Sequence, residues 1–284
     1  MKRLTRCTGI ALVAVLGLSL ASFAHYQMVL PSDDYLAEGD NTTIELQLIF
    51  THPTGAIHSD STQHESGAGA DPTSMDMETP VEFGVMHKGI KTNLTDTLEA
   101  FNFEHGAASA VAYRTSYRAR GMGDFIFYLA PGPYFDTIED GYITQYSKLI
   151  VNSGGLPTDW SEPVGLKAEI VPLTPTTPLW VGNTFTGVVL LDGEPVANAE
   201  LEVEHLNPTP FKGAFPDVEP VDLPGGEYGG QQIMTDENGT FSFSFPWSGW
   251  WGFVALLEGE DVNGKGQEIG ACLTFKVYET DEAP

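Results

Sequence analysis

Residues 42–50 read TTIELQLIF. Ile44, Leu46, Leu48 and Phe50 alternate with Glu45, Gln47 and Ile49. A period of two belongs to a β-strand, because successive side chains point to opposite faces of a sheet. Working outward, runs of similar length recur at 81–86 (VEFGVM), 111–120, 124–129 (DFIFYL), 146–151 and 166–171. Gly, Pro, Asn and Asp cut them apart, as strand boundaries require. No helical period of useful length appears. The expectation is an antiparallel β-sandwich rather than a βαβ fold.

The pattern breaks at 171–179, VPLTPTTPL. Pro172, Pro175 and Pro178 exclude a central strand there, so this is a linker or an edge crossing. It then restarts. Strands are expected at 183–191, 199–205 (AELEVEH), 251–257 (WGFVALL) and 271–278, with a tight Asp192-Gly193 turn. The stretch IMTDENGTFSFSF at 233–245 carries a hairpin-type Asn238-Gly239 turn. Residues 207–228 are rich in Pro and Gly and read as a long loop. The reading is all-β, with two β-sandwich domains at 25–171 and 172–284.

Ahead of them, residues 1–24 read as a secretory signal. Lys2, Arg3 and Arg6 precede a short apolar run at 10–20, and Ser22 and Ala24 supply the small residues before a cut. Cleavage would make His25 the N-terminus of a soluble periplasmic or secreted protein. No later segment approaches the ~18 apolar residues that span a bilayer.

Composition narrows the partners. The chain has 13 basic and 39 acidic residues; without the leader's three cations the net charge is −29. Nucleic acid and anionic membrane surfaces are poor partners for such a chain, whereas cations are attracted. A solvated acidic surface explains the same charge. The mature chain keeps one cysteine, Cys272, which rules out a disulfide framework and reads as a small buried hydrophobe.

The histidines are unevenly placed. Six of seven lie at 25–105, and only His205 is in the second half. The segment 51–80, THPTGAIHSDSTQHESGAGADPTSMDMETP, lacks a strand pattern and holds His52, His58, His64, Met75 and Met77. Loops of that length are functional or disordered. His25 at a free N-terminus offers an α-amine and an imidazole Nδ1, which together chelate a transition metal. Met28 lies near it and equally suits a strand. His87 ends the strand VEFGVMH and is placed to project from the same end of the sandwich as His52, an end that the His25 terminus would also reach; a surface turn histidine is the plainer alternative. His105 is an outlier. Amine and imidazole suit Ni²⁺, Co²⁺, Cu²⁺ or Zn²⁺, and thioethers favour Cu(I). No HExxH, EF-hand, nucleophile elbow or phosphate loop occurs, so nothing argues for a catalytic triad or a cofactor enzyme, and the expectation is a protein that is not an enzyme.

Two resemblances follow. LLDGEPVANAELEVEHLN (190–207) and MTDENGTFSFSFPWSGWWGFVAL (234–256) resemble transthyretin-like or carboxypeptidase-regulatory-like sandwiches. Over the mature chain, AHYQMVLPS (24–32), PVEFGVMHKGIKTNLTDTL (80–98), GDFIFYLAPGPYF (123–135), IVPLTPTTPLWVGNTFTGVVLLDGEPVANAELEVEHLN (170–207) and GWWGF (249–253) resemble the DUF4198 family. That resemblance implies a periplasmic protein that binds Ni²⁺ or Co²⁺ and works with an energy-coupling-factor or ABC-type importer. His25, His52 and His87 are the matching donors. Three alternatives remain: a copper-binding protein, a copper oxidase of polysaccharide-monooxygenase type, and a metal-free structural module. The aromatic cluster Trp247, Trp250, Trp251 and Phe253 would give the second a sugar-stacking surface, but it reads first as core or interdomain packing.

Overall fold

The computed structural model describes residues 25–51, 53, 75–105, 108–137, 140–206, 211–212 and 230–281. Among them the chain is all-β, with one 3-10 turn at Thr95–Thr97 and no α-helix. The strands form three sheets.

The first sheet takes β1 (Tyr26–Pro31), β3 (Thr43–Thr51), β6 (Glu99–His105), β7 (Ala108–Arg118) and β15 (Phe211–Lys212), in the order β1-β3-β7-β6-β15. The second contains β4 (Glu82–His87), β5 (Ile90–Asn93), β8 (Gly123–Ala130), β10 (Gly141–Ser153), β14 (Glu200–His205), β16 (Gly230–Met234), β18 (Gly249–Glu258) and β19 (Gln267–Val277). Their order is β16-β14-β18-β19-β10-β8-β4-β5, with β2 (Tyr35–Leu36) and β9 (Tyr134–Asp136) pairing onto β10. The third is small: β11 (Ala168–Pro172), β12 (Thr184–Leu191), β13 (Glu194–Pro195) and β17 (Thr240–Ser244).

The central sheet draws strands from both sides of the proline break. β10 and β19 run parallel, from Tyr142 opposite Gln267 to Leu149 opposite Thr274. The break therefore separates strands along the chain but not within the sheet. Both faces of this sheet are covered. Phe125, Phe127, Leu149, Val151, Val254 and Cys272 face the first sheet's core. Leu201, Phe253, Ala271, Leu273 and Phe275 face the third sheet's core. Ile126, Tyr128 and Ile150 form a smaller cluster with Val164. Double coverage explains why DFIFYL is apolar at nearly every position.

Two turns differ in use. Asp192-Gly193 closes a two-residue hairpin, with both residues at positive φ and Leu191 opposite Glu194. Around Asn238-Gly239 the turn is tight, but it is not a hairpin. β16 before it pairs with β14 in the central sheet, whereas β17 after it pairs with β12 in the third. The turn carries the chain from one sheet to the other, because its two flanks pair with strands of different sheets.

Candidate functional site

β1 is fixed along both edges. On one side it pairs with β3, Tyr26 opposite Thr51 and Gln27 opposite Phe50. On the other, side chains of the central sheet take its backbone groups. Gln27 N–H donates to Gln145 Oε1 at 2.9 Å, the Ser147 hydroxyl donates to Gln27 O, and the Thr274 hydroxyl donates to Val29 O at 3.2 Å. Tyr26 Oη donates to Glu202 O at 3.0 Å. Burial, then the charges of Glu204 and Glu202, push that phenol well above its ordinary 10.

His25 stands directly before this anchored strand. It is 8% exposed, and its ring meets Phe50 edge-on with centroids 5.9 Å apart. Phe50 in turn meets Tyr134 at 5.4 Å. β3 ends at Thr51, and the chain returns at Met75, whose N–H donates to Phe50 O at 2.9 Å. Both anchors of the stretch 52–74 are thus beside the residue on which His25 packs. His52, His58 and His64 fall in that stretch and lie outside the described residues.

His87 is elsewhere. It closes β4 before a Lys88-Gly89 turn with both residues at positive φ. Its ring stacks on Phe125, centroids 4.0 Å apart at 3°. Its Nδ1 is 2.9 Å from Asp124 O. A carbonyl only accepts, so Nδ1 carries the proton and Nε2 keeps the lone pair, an orientation suited to a ligand. Beneath it, buried Asp124 accepts from Asn152 Nδ2 at 2.6 Å and from the N–H groups of Thr158, Asp159 and Trp160 at 2.6, 3.0 and 3.2 Å. Asp159 accepts from Lys88 N–H. This polar knot pins the stretch 154–160 to the sheet.

The two histidines mark opposite ends of β10. Tyr134, near His25, pairs with Ile143, and Asp124, under His87, pairs with Asn152. Nine residues of strand at ~3.3 Å each separate those levels by ~30 Å. His87 and His25 therefore do not share one end of the sandwich. Met28, Met75 and Met77 are buried in the apolar core with Phe50, Leu48 and Phe103. Met75 and Met77 run between β3 and β7, with Met77 N–H donating to Val111 O. Among the described residues no group of three or more His, Cys, Asp or Glu side chains is placed to hold a metal. The described donors alone do not complete a site. His105 ends β6 opposite Ala108, away from β1 by two strands.

Three features escaped the sequence reading. Lys148 Nζ is 2.7 Å from Glu169 Oε1, both fully buried, and Glu169 also accepts the N–H groups of Val164, Gly165 and Leu166. Burial holds the Lys148 ammonium below its ordinary 10.5, against the opposing pull of Glu169. A lone charge inside YSKLIV was the available signal. His205 is 1% exposed, its Nε2 3.1 Å from Ser248 O and its ring edge-on to Trp251 at 5.1 Å. Trp250, Trp251 and Phe253 are core residues, which removes them as a sugar-stacking surface. No sequence signal marked the third feature, a cleft beside the proline break.

The sequence profile of a domain of unknown function, DUF4198, matches residues 22–259. No curated protein matches the chain. Among solved structures, a bacterial ice-binding adhesin overlaps 92% of this chain and 68% of its own at 9% identity and a TM-score of 0.24. Escherichia coli alpha-2-macroglobulin overlaps 91% of this chain and 20% of its own at 12% identity and 0.25. PorU from Porphyromonas gingivalis overlaps 86% and 20% at 14% identity and 0.20. Overlaps this loose carry no functional argument. Among the described residues no helix is long and apolar enough to cross a membrane.

Proposed function

The chain belongs to the DUF4198 family, and we propose that it is an exported protein that binds Ni²⁺ or Co²⁺ for a membrane importer, without catalysing a reaction. One observation carries the reading. His25 packs on Phe50, and both ends of the stretch that holds His52, His58 and His64 are anchored at the same residue. Removal of residues 1–24 would give His25 a free α-amine beside its imidazole. The amine and imidazole of His25 would then supply two donors, with His52, His58 and His64 as candidates for the rest.

The burial of Met28, Met75 and Met77 bears on the choice of metal. With the thioethers packed among Leu and Phe side chains, the remaining donors are nitrogen and oxygen, which suit Ni²⁺ and Co²⁺ better than Cu(I). The net charge favours capture of any cation.

The test uses mature protein produced by export, so that His25 is the true terminus. Competition among Ni²⁺, Co²⁺ and Zn²⁺, with Cu²⁺ left out because it heads the affinity order at any nitrogen site, should leave Ni²⁺ or Co²⁺ bound one-to-one. One extra residue before His25 should weaken that binding by about 100-fold, roughly 2.7 kcal/mol. Unchanged affinity would remove His25 from the site and overturn the reading.

A further inference from the structure

A cleft of about 550 Å³ opens where the turn after β10 meets the proline-rich stretch between β11 and β12. The size is that of a small-molecule site, typically ~300–1,000 Å³. Its walls carry two aromatic rings, Tyr35 and Trp180, and the flat rings of Pro157, Pro175 and Pro178. None of the lining residues is charged, in a chain of net charge −26.

The polar groups of the cleft fall into two sets. Asn152, Thr174 and Thr184 are tied into the fold. The Asn152 amide donates to Asp124 and to Leu156 O, and its oxygen accepts from Gly155 N–H. The Thr174 hydroxyl serves Thr186, and that of Thr184 bonds Ser244. The second set is open. Thr177 Oγ1 is buried and makes no hydrogen bond with a described residue. Asn183 uses its oxygen to accept from Trp180 N–H, which leaves both hydrogens of its amide nitrogen to point elsewhere. Tyr35 lines the same cleft, with its hydroxyl beside Gly155, another lining residue.

From this arrangement we propose that the cleft binds a neutral sugar ring. Anionic ligands find no cation here and a repulsive field outside. Metal ions find no carboxylate or imidazole. A pyranose offers what the walls lack: an apolar C–H face for Tyr35 or Trp180, and hydroxyls that both donate and accept for Thr177, Asn183 and Tyr35. A buried hydroxyl without a partner is a cost that such a ligand relieves. An oligoproline peptide also favours aromatic walls and its carbonyls would accept from Thr177, Asn183 and Tyr35, but it brings no hydroxyl that both donates and accepts, and apart from its terminus no N–H to give.

The experiment titrates the mature protein with a panel of neutral mono- and disaccharides, gluco-, manno- and galacto-configured, with and without N-acetyl groups. Tryptophan fluorescence and calorimetry read the binding. At least one sugar should bind one-to-one. Thr177→Val, which keeps the shape and removes the hydroxyl, should weaken it about fivefold, the scale of one neutral hydrogen bond. Asn183→Ala should do the same, and Trp180→Ala should abolish binding. Melting temperatures of the first two variants should match the wild type, so that misfolding is not the cause. Absence of binding across the panel overturns the proposal. So does affinity that ignores Thr177→Val, or tighter binding of an oligoproline peptide to the same residues. An added residue before His25 should leave sugar affinity unchanged, which separates this site from the metal reading.

Discussion

His25 and His87 occupy comparable places in sequence, each beside a strand end, and opposite ends of β10 in space. His87 has the better single-donor geometry: its proton is fixed on Nδ1 by Asp124 O and its ring is held flat on Phe125. His25 has the better company, because the stretch that contains three more histidines starts and finishes at its packing partner Phe50. Orientation of one ligand and assembly of several are separate requirements of a metal site. The described residues meet the first at the His87 end, and the proposed function requires the second at the His25 end.

The largest effect should come from the polar knot under His87. Asp124→Ala would strand the Asn152 amide and three backbone N–H groups in a buried setting. Each buried orphan costs ~1–3 kcal/mol, so a loss of about 3–5 kcal/mol is expected after relaxation. For a chain of this size that lowers the melting temperature by roughly 10 °C. Thermal unfolding of the variant checks it. If metal affinity falls together with stability while His25 is intact, the comparison fails, and the site belongs to the His87 end.

A direct contrast is His87→Ala. It should cost about 1 kcal/mol, from one hydrogen bond and one stacked ring. It should change Ni²⁺ or Co²⁺ affinity less than twofold, measured by the same competition that tests His25. A tenfold loss would place His87 among the ligands. Smaller again is the effect of Met75→Leu or Met77→Leu. These swaps conserve volume in an apolar core, so stability should shift by less than ~1.5 kcal/mol, and metal affinity should hold. A fall in Cu(I) affinity alone would revive a copper site that uses thioethers.

The comparison also marks what the sequence could convey. The strands were legible because period-two runs such as TTIELQLIF have no other physical reading. Their partners were less so. The pairing of β10 with β19 joins residues 125 apart, and nothing local to SKLIV or ACLTF encodes it. The second covered face of the central sheet was hidden for the same reason: an apolar run says that a strand is buried, not by what. Met75 and Met77 looked like ligands because the polar run before them ends at those residues. In the fold they lie between β3 and β7, where their side chains fill the core. His87 was placed beside His25 because strand ends look alike until the register is known. The open cleft at Thr177 and Asn183 depends on residues from three stretches of chain, none with a motif.

A third histidine calibrates the other two. His205 is buried against Trp251, and its Nε2–H donates to Ser248 O, so Nδ1 holds a lone pair. That Nδ1 has no hydrogen-bond partner among the described residues. Burial pushes this imidazole below its ordinary 6.5, with the Ser248 bond opposing. In the unfolded chain His205 takes a proton near its ordinary value; in the fold it resists. The unfolded state therefore binds more protons as pH falls through 6.5. Stability tied to His205 is complete above that value and declines below it, the decline ending only beneath the lowered folded value. Wild-type melting temperature should slope downward from pH 7 to 5, and His205→Phe should flatten part of that slope at some cost in absolute stability from the lost Ser248 bond. An unaltered slope would mean that other groups carry the acid sensitivity. A buried histidine without paired donors thus answers to protons. If His25 is the metal-bearing end, its signature is different: added Ni²⁺ or Co²⁺ should raise the melting temperature by mass action, and His205→Phe should leave that increment intact.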